Sequence, residues 1–216
     1  MKLVVLGASG GCGRALVQQA QAAGHRVVVV GRDSSDLPKG DSLEEHRGDL
    51  TDAEFLSGAF EGADVVVLAI GFRLAGLGFW NRPKDPEFLE RCARAAVAAA
   101  KTQGVGRLMA ISAGGVADSY EAMPWIFRVF IGSTSLRHVY PELAKMERVL
   151  LDSGLDVCIP RPSGLTDEPG GGEVVMPTTY RGQATIPRAD VAAWMLEQLG
   201  SQPFAHKTPL ITVTGG

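Results

Sequence analysis

Cysteine, net charge and long apolar runs are all scarce in this 216-residue chain, and each scarcity removes a class of protein. The three cysteines, Cys12, Cys92 and Cys158, are odd in number and have no metal-type spacing, which argues against a disulfide framework and a zinc site. Reduced thiols fit a cytoplasmic protein. Cys158 lies in an apolar run and reads as core, whereas Cys12 stands inside a glycine turn, where a ligand would pass. Lys and Arg number 21 against 24 Asp and Glu, a formal net charge of -3, so charge gives no support to a nucleic-acid partner. No uninterrupted apolar stretch approaches the roughly 20 residues that cross a bilayer, and no membrane contact is expected. The opening Met1-Lys2-Leu3-Val4-Val5-Leu6 is too short an apolar run for a signal peptide, and Gly7 interrupts it. Internal repeats and low-complexity tracts are missing too.

What is present is an ordinary globular composition, 45% apolar, on a length that suits one domain over residues 1–216. The apolar pattern alternates between two periods. Short runs at Leu3–Leu6, Val27–Val30, Val65–Ile70, Leu108–Ile111, Leu155–Ile159 and Leu210–Val213 have the length of strands buried on both faces. Helical stretches stand between them at Gly13–Ala23, Thr51–Phe60, Pro86–Gln103, Leu143–Ser153 and Arg188–Leu199. Thr51 and Asp52 are cap candidates, and Gly24, Gly104 and Gly154 stop three of the helices. Strand and helix in alternation predict an α/β fold: a single Rossmann-type, doubly wound, mainly parallel sheet with helices on both faces. Two segments break the rhythm, about 71–83 and 114–141, both aromatic-rich and both following strands. They read equally as lids over a ligand crevice or as satellite core and subunit contact.

The strand Leu3–Leu6 runs directly into Gly7-Ala8-Ser9-Gly10-Gly11-Cys12-Gly13 and then a helix. Glycine suits this position because the turn is tight, a pyrophosphate must approach bare backbone, and the helix must pack against the strand. The helix N-terminus adds unpaired N–H groups and a positive dipole end. A dinucleotide is therefore the expected ligand. After the second strand stands Gly31-Arg32-Asp33. Arg32 is a planar, permanently charged donor suited to a 2′-phosphate and points to NADP(H), while Asp33 keeps NAD open. Gly48-Asp49-Leu50 fits the adenine edge, with Asp49 as acceptor and Leu50 over the ring; Asp49 serves equally as a helix cap. Ala69-Ile70-Gly71 and Ile111-Ser112-Ala113 end two further strands with small residues where a cofactor would pass.

These motifs, followed in order by Ser153-Gly154-Leu155-Asp156, Arg161-Pro162-Ser163-Gly164-Leu165-Thr166-Asp167 and Arg188-Ala189-Asp190-Val191-Ala192, resemble the atypical short-chain dehydrogenase/reductases. The likeness is greatest to the biliverdin-IXβ reductase/flavin reductase branch and its NmrA-like relatives, and it spans nearly the whole chain. The resemblance implies hydride transfer from NADPH to an acceptor stacked on the nicotinamide. It further implies that Gly7, Ser9, Gly10, Gly11, Cys12 and Gly13 form the pyrophosphate turn and that Arg32 meets the 2′-phosphate. Asp49 and Leu50 would hold adenine, and Ala69, Ile70, Gly71 and Ser112 would line the ribose and nicotinamide side. Pro162, Ser163 and Gly164 would offer backbone to the nicotinamide amide.

One departure stands out. The wider superfamily uses Tyr-x-x-x-Lys, in which the lysine binds ribose and lowers the tyrosine pKa. Here Tyr140 and Lys145 are five apart, about 140° round a helix, and Pro141 is expected to leave Tyr140 before the helix. Lys145 fits ribose binding or an exposed helix surface, and Tyr140 and Ser112 remain the candidate catalytic residues beside it. Ser112 either polarises a carbonyl or binds cofactor; His138 is the one histidine positioned to face substrate, and it reads more readily as an incidental histidine than as a catalytic one. Three functions follow. The first is an NADPH-dependent reductase of a flat conjugated small-molecule acceptor such as a flavin, quinone or tetrapyrrole. The second is a non-catalytic NADP(H) redox sensor with a protein partner, and the third a sugar-nucleotide epimerase, for which the chain is short.

Overall fold

Valine-rich runs without polar alternation belong in strands covered on both faces, and such runs form the centre of this protein. A computed structural model describes residues 1–31, 42–71, 85–180 and 184–214. The elements in chain order are β1 (Lys2–Leu6), α1 (Gly11–Ala22), β2 (Arg26–Gly31), β3 (Leu43–Arg47), α2 (Ala53–Ala59), β4 (Val65–Leu68), α3 (Phe88–Thr102) and β5 (Arg107–Ala110). A short 3-10 helix (Ala117–Ala122) leads to α4 (Trp125–Ser133), α5 (Leu136–Leu151), β6 (Asp156–Cys158), β7 (Arg161–Pro162) and β8 (Gly164–Thr166). The chain ends with β9 (Val174–Val175), β10 (Thr185–Pro187), α6 (Arg188–Gln198) and β11 (Leu210–Val213).

Six strands form one parallel sheet in the order β3-β2-β1-β4-β5-β6, the doubly wound arrangement. Alternate residues of each strand enter different cores. Val4, Leu6, Val28, Val66 and Leu108 pack with Leu56, Phe60, Leu89, Met146 and Leu150 beneath α2, α3 and α5. Leu3, Val5, Val27, Val67 and Met109 pack on the other face with Leu16, Val17, Val191, Trp194 and Met195 from α1 and α6. Cys158 lies in that second core and is fully buried. The edge strand β3, Leu-Glu-Glu-His-Arg, carries no apolar run because it is half-exposed, and its charges guard the open edge.

Helix ends follow local chemistry. The Asp52 carboxylate accepts from the N–H groups of Glu54 and Phe55 at 2.9 and 3.1 Å, a cap that contributes about 1 kcal/mol. Gly24, Gly104 and Gly154 take φ of 78°, 69° and 78°, the left-handed conformation that ends helices.

Three expectations from the sequence need correction. The segment 114–141 is largely helical, because Trp125–Ser133 and the start of α5 pack on the body of the domain. Tyr140 lies inside α5, which accommodates Pro141 at its sixth residue. The last apolar run, β11, leaves the main sheet and pairs with β7 and β9 in a small three-stranded sheet. Pro160 and Pro162 lack donors, which limits how far the main ladder can extend there.

Candidate functional site

The order of the main sheet reverses at β1, whose neighbours β2 and β4 carry the chain in opposite directions. Sheets of this kind take ligands in the crevice beyond the C-terminal ends of such strands. Gly7 follows β1 there with φ of 82°, and a Cβ on it would stand 2.7 Å from the Ala69 carbonyl oxygen. A Cβ on Gly13 would stand 2.5 Å from the Gly7 carbonyl oxygen. Backbone meets backbone at both points, so no side chain fits. The Gly10 N–H donates to the Gly7 carbonyl at 3.0 Å and folds the turn. Helix α1 then starts at Gly11, capped by Gly10, which has no side-chain oxygen, and its first turn carries no acid. Its leading N–H groups and positive dipole end are thus available to an anion. Cys12 is buried, and that burial pushes its thiol up to about 11 against the pull of Arg188. Cys12 can therefore offer its backbone N–H, and not a thiolate, at neutral pH. Ser9 is half-buried within the same turn.

After β3, Asp49 Oδ1 accepts from the N–H and the hydroxyl of Thr51, each at 2.9 Å. Asp49 thus shapes the turn before α2 while Asp52 caps the helix. Leu50 is buried with Leu56 and Phe60. Ala69 and Ile70 are buried after β4, and Gly71 is exposed. Arg32, Asp33 and all of the 71–83 loop except Gly71 lie outside the described residues.

Ser112 follows β5. Its N–H donates to the Pro160 carbonyl at 3.0 Å, and its buried hydroxyl oxygen finds no partner among the described residues. A buried hydroxyl in that state is costly unless a ligand completes it, so Ser112 fits the ribose and nicotinamide side of a dinucleotide. The Ser163 and Gly164 N–H groups donate to the Ile211 and Ala184 carbonyls at 3.0 and 3.1 Å. The Pro162 carbonyl accepts from Gly114 at 2.8 Å. These three residues tie the small sheets to the segment after β5, and the Ser163 and Gly164 N–H groups expected to face a nicotinamide amide are engaged within the protein instead.

Tyr140 and Lys145 engage different partners. The Tyr140 hydroxyl donates to the Gly114 carbonyl at 3.0 Å, and burial pushes it up to about 12. Lys145 Nζ donates to Glu142 at 2.8 Å and stands 4.0 Å from Glu90 of α3. His138 Nε2 accepts from Arg137 Nε at 3.0 Å. Between the 3-10 helix, α4 and α5 opens a cavity of about 370 Å³, lined by Gly115, Ala117, Tyr120, Ile131, Arg137 and Tyr140 among others. Ala117 on its rim holds φ of 50°, a conformation that costs a non-glycine residue energy and that clusters at functional sites.

Two groups escaped the sequence. Arg161 of β7 is buried against Glu147 of α5, with Nε and Nη2 donating at 3.0 and 2.6 Å, and it also pairs with Asp118 of the 3-10 helix at 2.8 Å. The available signal was Glu147 itself, a charge on the face of α5 that otherwise buries Leu143, Met146 and Leu150. The other is Arg188, whose side chain lies across Gly11. No helix among the described residues is long and apolar enough to cross a membrane.

The profile of a family described as NAD(P)H-binding matches residues 7–202. Among solved structures, ChuY, an anaerobillin reductase from Escherichia coli, is 21% identical with a TM-score of 0.79, covering 100% of this chain and 98% of that one. A short-chain dehydrogenase/reductase from Veillonella parvula, solved with NADP, is 16% identical with a TM-score of 0.80 over 99% and 95% of the two chains. The oxidoreductase ylbE from Lactococcus lactis is 19% identical with a TM-score of 0.80, covering 99% and 91%. At these identities the likeness is one of fold.

Proposed function

The chain belongs to the NAD(P)H-binding family, and from that premise we propose that it is a cytoplasmic NADPH-dependent reductase of a flat, conjugated small molecule of the flavin, quinone or tetrapyrrole class. The observation that carries this is the open groove after β5, lined by Gly115, Ala117, Ile131, Arg137 and the rings of Tyr120 and Tyr140. Apolar walls with few polar groups suit a planar conjugated ligand. The anaerobillin reductase that shares the fold supports the same class.

The glycine turn Gly7 to Gly13 holds the pyrophosphate on the start of α1, and Arg32 takes the 2′-phosphate. Asp49 and Leu50 border adenine; Ala69, Ile70 and Gly71 border the cofactor backbone; Ser112 donates to the nicotinamide side; and Pro162, Ser163 and Gly164 wall it. Lys145 is assigned to the ribose side, where its pairing with Glu142 must exchange. When bound, NADPH supplies a hydride, which is two electrons, to the acceptor. A reduced flavin or quinone takes its accompanying proton from water, so the chemistry does not require Tyr140 to release one. Tyr140 instead holds Gly114 in place and presents its ring to the cavity.

NADPH consumption followed by absorbance, with flavin, quinone and linear tetrapyrrole acceptors, tests the proposal. Turnover of at least one class is expected, and Arg32→Ala should weaken NADPH far more than NADH. A second function, a redox sensor that passes the NADP(H) state to a protein partner, is favoured by the apolar face of α4. There Trp125, Ile126 and Val129 are 71%, 59% and 60% exposed, more than solubility alone favours. NADPH binding without turnover across the panel would select it.

A further inference from the structure

Arg188, the first residue of α6, lies across the opening turn of α1. A Cβ on Gly11 would stand 2.5 Å from Arg188 Cδ and 2.8 Å from its Nε, so glycine at that position is what lets the arginine stem rest on backbone. The start of α6 is held in place from two sides. Gln19 Nε2 of α1 donates to the Ala189 carbonyl at 2.9 Å. The buried Asp190 carboxylate accepts from the N–H groups of Gly171 and Gly172 at 2.6 and 3.2 Å, which fastens the 170–172 loop over α6. The counter-ion stands just before that loop, directly after β8: Arg188 Nη1 donates to Asp167 Oδ1 at 2.8 Å, with the arginine side chain 29% and the aspartate 88% exposed. The charges of both residues reach the Cys12 thiol in the first turn of α1, which sets them at the pyrophosphate end of the site.

We propose that Arg188 is a pyrophosphate-binding residue of the dinucleotide site, and that the Asp167 carboxylate is the exchangeable counter-ion it gives up when the pyrophosphate arrives. The assignment rests on NAD(P)H binding at the glycine turn and does not depend on turnover. The exchange is favourable because an exposed carboxylate holds an arginine weakly. A pyrophosphate on a helix N-terminus offers several oxygens to the planar guanidinium and adds the dipole. The pyrophosphate is common to both dinucleotides, so Arg188 supports NADP(H) and NAD(H) alike. Arg32, by contrast, would discriminate between them.

Titration calorimetry with NADP⁺ and NAD⁺, on the full chain, tests this. Arg188→Ala should weaken both dinucleotides by a similar factor, about tenfold or more, and Arg188→Lys should restore part of it. Asp167→Asn should tighten both by about two- to fivefold at low salt, with the gain fading as salt screens the pair. Unchanged affinity in a folded Arg188→Ala protein, or a loss confined to NADP⁺, overturns the assignment. Should Arg188→Ala fail to fold, Arg188→Lys and Asp167→Asn decide, and wild-type affinity in both overturns it. A wild-type protein that binds both dinucleotides yet reduces no acceptor removes the reductase function and leaves the role of Arg188 standing.

Discussion

The dinucleotide end of the crevice and the cavity beyond β5 are built from different materials. At the first, Gly7, Gly10, Gly11 and Gly13 present backbone, and the recognition we propose there draws on N–H groups and a helix dipole that exist once the turn forms. At the second, side chains from four distant segments meet: Tyr120 from the 3-10 helix, Ile131 from α4, Tyr140 from α5, and the Asp118–Arg161–Glu147 network that ties these to β7. Backbone sites tolerate little change because a single Cβ fills them. Side-chain sites can be altered one group at a time, which lets one dinucleotide scaffold serve many acceptors.

The largest expected effect tests the backbone end. Gly13→Ala places a Cβ 2.5 Å from the Gly7 carbonyl oxygen, and dinucleotide affinity measured by calorimetry should fall on the order of 100-fold or more. Unfolding in urea should show a further loss of about 1–3 kcal/mol from overpacking. Near-normal binding would mean the turn is not held by backbone contact.

At the side-chain end, Glu147→Ala strips Arg161 of its buried partner and should cost about 3–5 kcal/mol in the same urea measurement. Tyr140→Phe should cost about 1 kcal/mol through the lost bond to Gly114, leave NADPH affinity intact, and keep flavin turnover within a few-fold. A general acid would contribute about 10²–10⁴-fold, so a loss of that size would return Tyr140 to catalysis. The smallest effect belongs to Asp118. Its carboxyl is held below the usual range by the hydrogen bond from Arg161 and then by that residue's charge. The pair's contribution is therefore complete above the unfolded pKa of about 4 and disappears as pH falls through the lower folded value. Asp118→Asn should remove it at neutral pH at a cost under about 1 kcal/mol. The gap between wild type and variant should close in acid when thermal unfolding is followed against pH.

The glycine turn of the candidate site was legible because its determinants are adjacent in the chain. Gly7 to Gly13 follows an apolar strand and precedes a helix, and that order alone implies the turn and its anion preference. Asp52 announced its cap, and Gly24, Gly104 and Gly154 their helix ends, for the same local reason. The apolar runs also implied the parallel sheet, since only strands covered on both faces lose their alternation. The polar edge strand β3 escaped that rule. Residues 114–141 read as irregular because α4 is apolar nearly all round, without the one-sided period that marks a helix against a single core. Tyr140 was placed outside its helix on the strength of Pro141, a local preference that packing of Val139, Leu143 and Met146 overrides.

By itself, then, the chain determined whatever depends on neighbours along it: strand, turn, cap and the dipole that awaits a phosphate. Only the tertiary structure decided which distant charges meet. Arg161 lies 14 residues from Glu147 and Arg188 is 21 from Asp167, and no periodicity connects such pairs. The closing of the small sheets onto α5 chooses the first pair, where burial makes an unpaired charge costly, and the packing of α6 on α1 brings Arg188 within reach of the exposed Asp167.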